Sequence, residues 1–156
     1  MANIIMYTDG SSRGNPGPGG YGVVLLSPEL RLRRELSAGF RQTTNNRMEL
    51  LAVIVGLEAL RQPQSEVLVY TDSQYVANAV EKGWVLGWEA KGFKGKKNPD
   101  LWRRFLAIYR RHRVRFQWVR GHAGNPENER CDLLATTAAD QPNLPADEAF
   151  ESGQAG

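Results

Sequence analysis

Apolar and polar positions change period several times along the chain, and each change marks an element. Residues 3–8 (NIIMYT) are apolar or β-branched and stop at Asp9-Gly10, the pattern of a strand. Residues 11–20 (SSRGNPGPGG) hold four glycines and two prolines and read as a loop. Residues 21–26 and 30–40 read as two more strands, broken at Ser27-Pro28, so the chain opens as an antiparallel meander. Over residues 44–61 the period becomes helical. Met48, Leu51, Ala52, Val55 and Ala59 recur at i, i+3, i+4 spacing and predict one apolar face. Asn46 and Glu49 suggest a capping pair at the start of this helix, and Pro63 closes it.

The second half alternates. Residues 67–71 predict a buried strand ending at Asp72, residues 73–81 a short helix, and residues 83–88 a turn or short helix. A Gly/Lys loop covers residues 90–97. Residues 99–112 predict a helix with Pro99 in its first turn, followed by a strand at residues 114–119. After a loop at residues 121–125, residues 126–139 predict a helix whose first turn carries Glu127 and Glu129, where acids are favoured. The order is β-β-β-α-β-α-(α)-α-β-α. Strands joined through helices run parallel with right-handed crossovers, so the expected class is α/β, a mixed sheet with packed helices. Residues 1–141 form one expected domain. Residues 142–156, rich in Pro, Ala and acids, are expected to be a disordered tail.

Composition narrows this picture. A chain of 156 residues supports one full core. No apolar run approaches the ~20 residues of a membrane span, and the N-terminus lacks the pattern of a signal peptide. The single cysteine, Cys131, excludes an internal disulfide framework, and with only His112 and His122 beside it a structural zinc site is not expected. The cytoplasm is the expected location and a monomer suffices. Net charge is only +3, yet residues 82–120 hold twelve Lys or Arg against Glu89 and Asp100, a local charge of +10. No basic residue follows Arg130. Such a block suits a polyanion, although a solvated helix face would carry the same charge.

Two predicted strands end alike, in Tyr7-Thr8-Asp9-Gly10 and Tyr70-Thr71-Asp72-Ser73. If they are parallel neighbours, ~4.8 Å apart, both carboxylates stand at the C-terminal edge where open α/β sheets bind ligands. Like charges so close repel unless a cation lies between them, and a hard divalent cation suits oxygen ligands. Glu49 and Asp132, on helices, could reach the same edge. Each acid has an ordinary role too: Asp9-Gly10 as a turn, Asp72 and Glu49 in helix caps, Asp132 as a surface helical acid. Those roles explain each acid singly but not the twin strand ends together with the basic block.

The surrounding residues add a resemblance. TDGSSRGNPGPGGYG, TTNNRMEL, YTDSQYV and WVRGHAGNPENERCDLLA resemble the four signature blocks of bacterial-type ribonuclease H, in the family's order and at close to its spacing, over about residues 3 to 140. The resemblance implies a five-stranded mixed sheet in the order 3-2-1-4-5 with helices on both faces. It implies endonucleolytic hydrolysis of the RNA strand of RNA–DNA hybrids by two-metal-ion catalysis, leaving 5′-phosphate and 3′-hydroxyl ends. Matched residue by residue, the metal ligands are Asp9, Glu49, Asp72 and Asp132. The expected ions are two Mg²⁺ with substrate bound, with Mn²⁺ as a substitute. His122 matches a histidine that handles protons or helps product leave. Asn15, Thr44, Asn45, Asn46 and Gln74 match positions that touch hybrid backbone, 2′-hydroxyls or minor-groove edges, and the amides among them can both donate to and accept from a 2′-hydroxyl. Trp84 and Trp88 with Lys91, Lys94, Lys96 and Lys97 resemble the basic protrusion that grips the DNA strand. That segment is shorter and poorer in Lys than the well-known family pattern, a difference that bears on affinity rather than on catalysis.

Three other readings compete. Gly17 to Gly22 formally fits G-x-G-x-x-G, but it leads into a predicted strand and not into a helix N-terminus that could hold pyrophosphate. An integrase-like or junction-cutting nuclease shares the metal logic; the glutamate of TTNNRMEL and the want of an extra domain argue against it. A non-catalytic hybrid-binding module would gain nothing from four clustered acids beside phosphate.

Overall fold

The computed structural model describes residues 3–121 and 124–156. In chain order it contains β1 (Asn3–Ser12), β2 (Gly17–Ser27), β3 (Leu32–Thr43), α1 (Asn45–Glu58), β4 (Glu66–Thr71), α2 (Gln74–Glu81), α3 (Trp84–Ala90), α4 (Pro99–Tyr109), β5 (Arg113–Trp118), α5 (Pro126–Ala139) and α6 (Glu148–Glu151). The five strands form one mixed sheet in the order β3-β2-β1-β4-β5. The meander is antiparallel, whereas β1 runs parallel to β4 and β4 to β5. No helix among the described residues is long and apolar enough to cross a membrane.

Helices cover both faces, and glycines set how closely they approach. Met6 and Val23 point from the sheet toward α1, where a Cβ on Gly56 would stand 2.7 Å from the Met6 sulfur. On the other face α5 lies on β2: a Cβ on Gly20 would stand 2.5 Å from the Ala135 carbonyl oxygen, and one on Gly22 would overlap the Cys131 carbonyl. The glycine-rich stretch expected to be a loop up to residue 20 is therefore strand from Gly17 onward. Its glycines admit a helix backbone, and glycine in a strand often marks such close approach.

α1 differs from expectation in two ways. It is buried nearly all round, from Arg47 to Ile54 without a break, because the sheet lies on one side and α4 packs on another. The predicted single apolar face is thus only part of a core helix. Its cap is not the expected Asn46–Glu49 pair: Thr44 is extended (φ −128°, ψ 160°) and its hydroxyl accepts from the Arg47 amide at 3.2 Å. This leaves the Glu49 carboxylate for other work.

The segment expected to be a disordered tail, residues 142–156, is packed against the domain and carries α6. The Asp147 carboxylate accepts from Arg47 Nε at 2.7 Å and from Thr43 Oγ1 at 2.8 Å, both buried. Arg41 donates its amide to the Pro145 carbonyl at 2.9 Å. Composition predicted disorder because it registers few apolar residues. The ordering comes from a buried arginine 100 residues away in sequence.

Candidate metal centre

The two Tyr-Thr-Asp segments come into register. Tyr7 pairs with Tyr70 across parallel β1 and β4, and their rings stack with centroids 4.9 Å apart. Asp9 and Asp72 therefore stand side by side two residues further on. Gly10 is not in a turn, since β1 continues to Ser12. A Cβ at Gly10 would overlap the Glu49 amide nitrogen, so glycine there lets the first turn of α1 seat against the strand and delivers Glu49 to the two aspartates. Ser73, not Asp72, caps α2, its hydroxyl accepting from the Val76 amide at 3.2 Å.

The result is a triad. One carboxylate oxygen from each of Asp9, Glu49 and Asp72 lies within 4.8 Å of the others. Asp9 and Glu49 are buried, at 9% and 8% exposure. Asp132, brought by α5, lines the same cleft and comes within hydrogen-bonding reach of Asp9. Burial, then the Asp72 charge and the shared hydrogen bond with Asp132, push the Asp9 carboxyl up to about 8. Burial, then the charges of Asp9 and Asp72, hold Glu49 well above the ordinary carboxylate range. Glu49 Oε1 and Asp72 Oδ1 are buried with no hydrogen-bond partner among the described residues. Buried carboxylate oxygens without donors are costly, and a divalent cation would satisfy them. The donor set, all oxygen and all carboxylate, fits a hard divalent ion.

The remaining sequence-predicted residues, His122 apart, line three cavities. The open cavity of about 440 Å³ beside the triad is lined by Asn45, Asn46 and Gln74 among others. Asn45 Oδ1 accepts from the Ser12 amide at 2.7 Å, and Asn15 Oδ1 accepts from the Asn45 amide at 3.2 Å, tying the β1–β2 turn to the start of α1. Further off, Trp84, Trp88, Lys91, Lys94 and Lys96 line a second cavity of about 390 Å³. Trp84 is 47% exposed with Lys82 Nζ over its ring, whereas Trp88 also packs edge-on against buried Trp102 and so serves the core as well. Lys97 is separate from those lysines. It lines a third cavity with Asn15, Thr44 and Asn46. His122 lies outside the described residues.

Sequence reasoning missed two groups at the centre. Trp118 donates its indole N–H to the Asp72 carbonyl at 2.9 Å, and the Val119 amide donates to the Thr71 carbonyl at 2.9 Å, so the end of β5 and the residue after it brace the ligand strand. Gly121 closes on the Asp72 carboxylate, where a Cβ would stand 2.8 Å from Oδ2. Both lie in the WVRGH block, which attracted notice only for its histidine. Asn98, in the third cavity, was also missed, because an Asn before Pro reads as loop punctuation.

Comparison with known proteins gives one answer. The RNase H family model matches residues 1–140. The chain is similar to a ribonuclease H of Desulforamulus reducens, 61% identical over 152 residues that cover 94% of each chain. It is similar to a ribonuclease H of Syntrophus aciditrophicus, 56% identical over 94% of this chain and 86% of that one. Among solved structures, a type 1 RNase H with the type 2 active-site motif superposes with a TM-score of 0.81 at 33% identity, covering 100% of this chain and 82% of the other. An RNase H1 crystallised with an RNA/DNA hybrid superposes with a TM-score of 0.65 at 31% identity, covering 88% of this chain and 96% of that one.

Proposed function

The chain belongs to the ribonuclease H family, and from that premise we propose that it hydrolyses the RNA strand of RNA–DNA hybrids at divalent metal ions held by Asp9, Glu49, Asp72 and Asp132. The observation that carries this reading is the convergence of three carboxylate oxygens within 4.8 Å at a sheet edge, with two of the buried oxygens lacking any donor among the described residues. Mg²⁺ is the ion assigned, two with the hybrid bound, with Mn²⁺ able to replace it. Bound there, the ions supply an activated water and stabilise the leaving oxygen of the phosphodiester.

The chain's own residues do the rest. Asp9 on β1 and Asp72 just past the end of β4 fix the centre. Glu49 lies beside the 2′-hydroxyl next to the scissile phosphate, and Asp132 stands on the side of the attacking water with His122 as proton handler. Asn15, Thr44, Asn45, Asn46 and Gln74 contact the hybrid's backbone, 2′-hydroxyls or minor-groove edges, since their side chains can both donate and accept as a 2′-hydroxyl requires. Trp84 with Lys91, Lys94 and Lys96 fits a deoxyribose backbone, and Lys97 adds a cation on the α1 side. The products carry 5′-phosphate and 3′-hydroxyl ends. The enzyme works as a monomer in the cytoplasm.

A labelled RNA–DNA hybrid, single-stranded RNA, duplex RNA and duplex DNA incubated with Mg²⁺ or EDTA test the proposal. Cleavage confined to the hybrid's RNA strand and abolished by EDTA is expected. Binding without cutting, or cutting of duplex DNA, would overturn it.

A further inference from the structure

We propose that residues 143–156 form a wall of the hybrid-binding groove by pinning the Lys97–Asn98 corner against the start of α1; the proposal rests on the hybrid-binding reading above. Asn98 turns the chain from the basic segment into α4 through a left-handed conformation (φ 60°) and is buried. Its amide donates to the Ala155 carbonyl at 2.8 Å. Its side chain accepts from Arg47 at 3.3 Å and donates to the Tyr75 hydroxyl at 3.1 Å. Arg47, on α1, is held in turn by Asp147. The C-terminal segment and α1 thus grip one corner from two sides. Lys97 Nζ donates to the Gly156 carbonyl at 2.7 Å, which fixes the cation as well.

The cavity this creates, about 320 Å³, has Asn15, Thr44 and Asn46 on one side and Phe150 and Ala155 on another, with Lys97. Asn15, Thr44, Asn46 and Lys97 are hybrid contacts in the proposed function. A nucleic-acid backbone entering there meets a corner already ordered, so binding need not order it. Preorganisation of this kind is expressed in affinity and not in the chemical step.

Two measurements test the wall. In wild-type protein with EDTA, hybrid should slow amide exchange across residues 150–155. Phe150→Ala and Ala155→Gln, the latter too large for a site 6% exposed, should raise the hybrid KM about fivefold, the scale of one lost hydrogen bond, with kcat held within about twofold. A melting curve for each variant separates this effect from unfolding. If wild type binds hybrid but exchange in the segment is unchanged and both variants keep the wild-type KM, the segment is structural only and the wall is refuted. If wild type does not bind hybrid at all, the hybrid-binding reading falls and the wall with it.

Discussion

Gly10→Ala should disable the enzyme through a residue that carries no reactive group. The new Cβ would overlap the Glu49 amide nitrogen and the Met48 carbonyl carbon and would stand 2.9 Å from Glu49 Cα. Carbon atoms rest at ~3.5–4.0 Å, so the first turn of α1 must retreat by about 1 Å. Neither side can yield by rotating a side chain, because the contacts are backbone on backbone. The strand is fixed by ladders to β2 and β4, and α1 is buried. The strain should cost about 1–3 kcal/mol of stability, lowering Tm by roughly 5 °C. The larger effect is on Glu49, which is withdrawn from Asp9 and Asp72. Misplacing one reacting group by about 1 Å costs on the order of 100-fold in rate. Steady-state cleavage of a labelled hybrid in Mg²⁺ at 25 °C should show kcat reduced by about that factor. KM should rise as well, because Asn45 and Asn46, hybrid contacts in the proposed function, sit in the same first turn of α1. A variant that melts lower but keeps wild-type kcat would show that Glu49 is not positioned by this contact.

Three further predictions are independent of that one. Asp147→Asn should destabilise the protein at pH 7 by about 3 kcal/mol, at the low end for a broken buried pair because Asp100 still pairs with Arg47 at 2.8 Å. Burial alone would raise the Asp147 pKa, but hydrogen bonds from Arg47 and Thr43 overcome it and leave the folded value lowered. Its contribution is therefore present above the unfolded value of ~3.9 and is lost as pH falls through the lower folded value, so urea melts of variant and wild type should converge in acid and differ most near neutrality. Cys131 is fully buried, and burial followed by the Asp9 charge holds its thiol far above the ordinary range, so a thiol reagent should label it only in denaturant. Gly121→Ala should weaken Mg²⁺ binding measured by calorimetry, because its methyl would press on Asp72 Oδ2; an unchanged isotherm would remove that contact from the account.

The ligand strands were legible because a strand end is a local event: the repeated Tyr-Thr-Asp needed only parallel pairing to become a site. The glycines were not. Gly10 and Gly20 look like turn residues, and only the helices that cross them reveal a packing purpose. The same holds for α1, whose polar members hide how much of it is buried: Arg47 is buried only because Asp100 and Asp147 come to it from distant segments. Composition likewise could not order residues 142–156, since their anchors lie on β3, α1 and the corner before α4. The basic block was legible as charge but not as geometry. Lys97 is parted from Lys91, Lys94 and Lys96 by the fold, and some of the charge on α4 and at its C-cap goes into pairs, Arg104 with Glu58 and Arg110 with Glu89.

The most direct test is single-turnover cleavage of a hybrid labelled on both strands, by wild type and by Asp72→Asn, across Mg²⁺ from none to saturation. Wild type should cut the RNA strand alone and only with metal, and Asp72→Asn should bind the hybrid without cutting at any Mg²⁺ concentration. Cleavage by wild type in EDTA, or retained cleavage by Asp72→Asn, would contradict the proposed function.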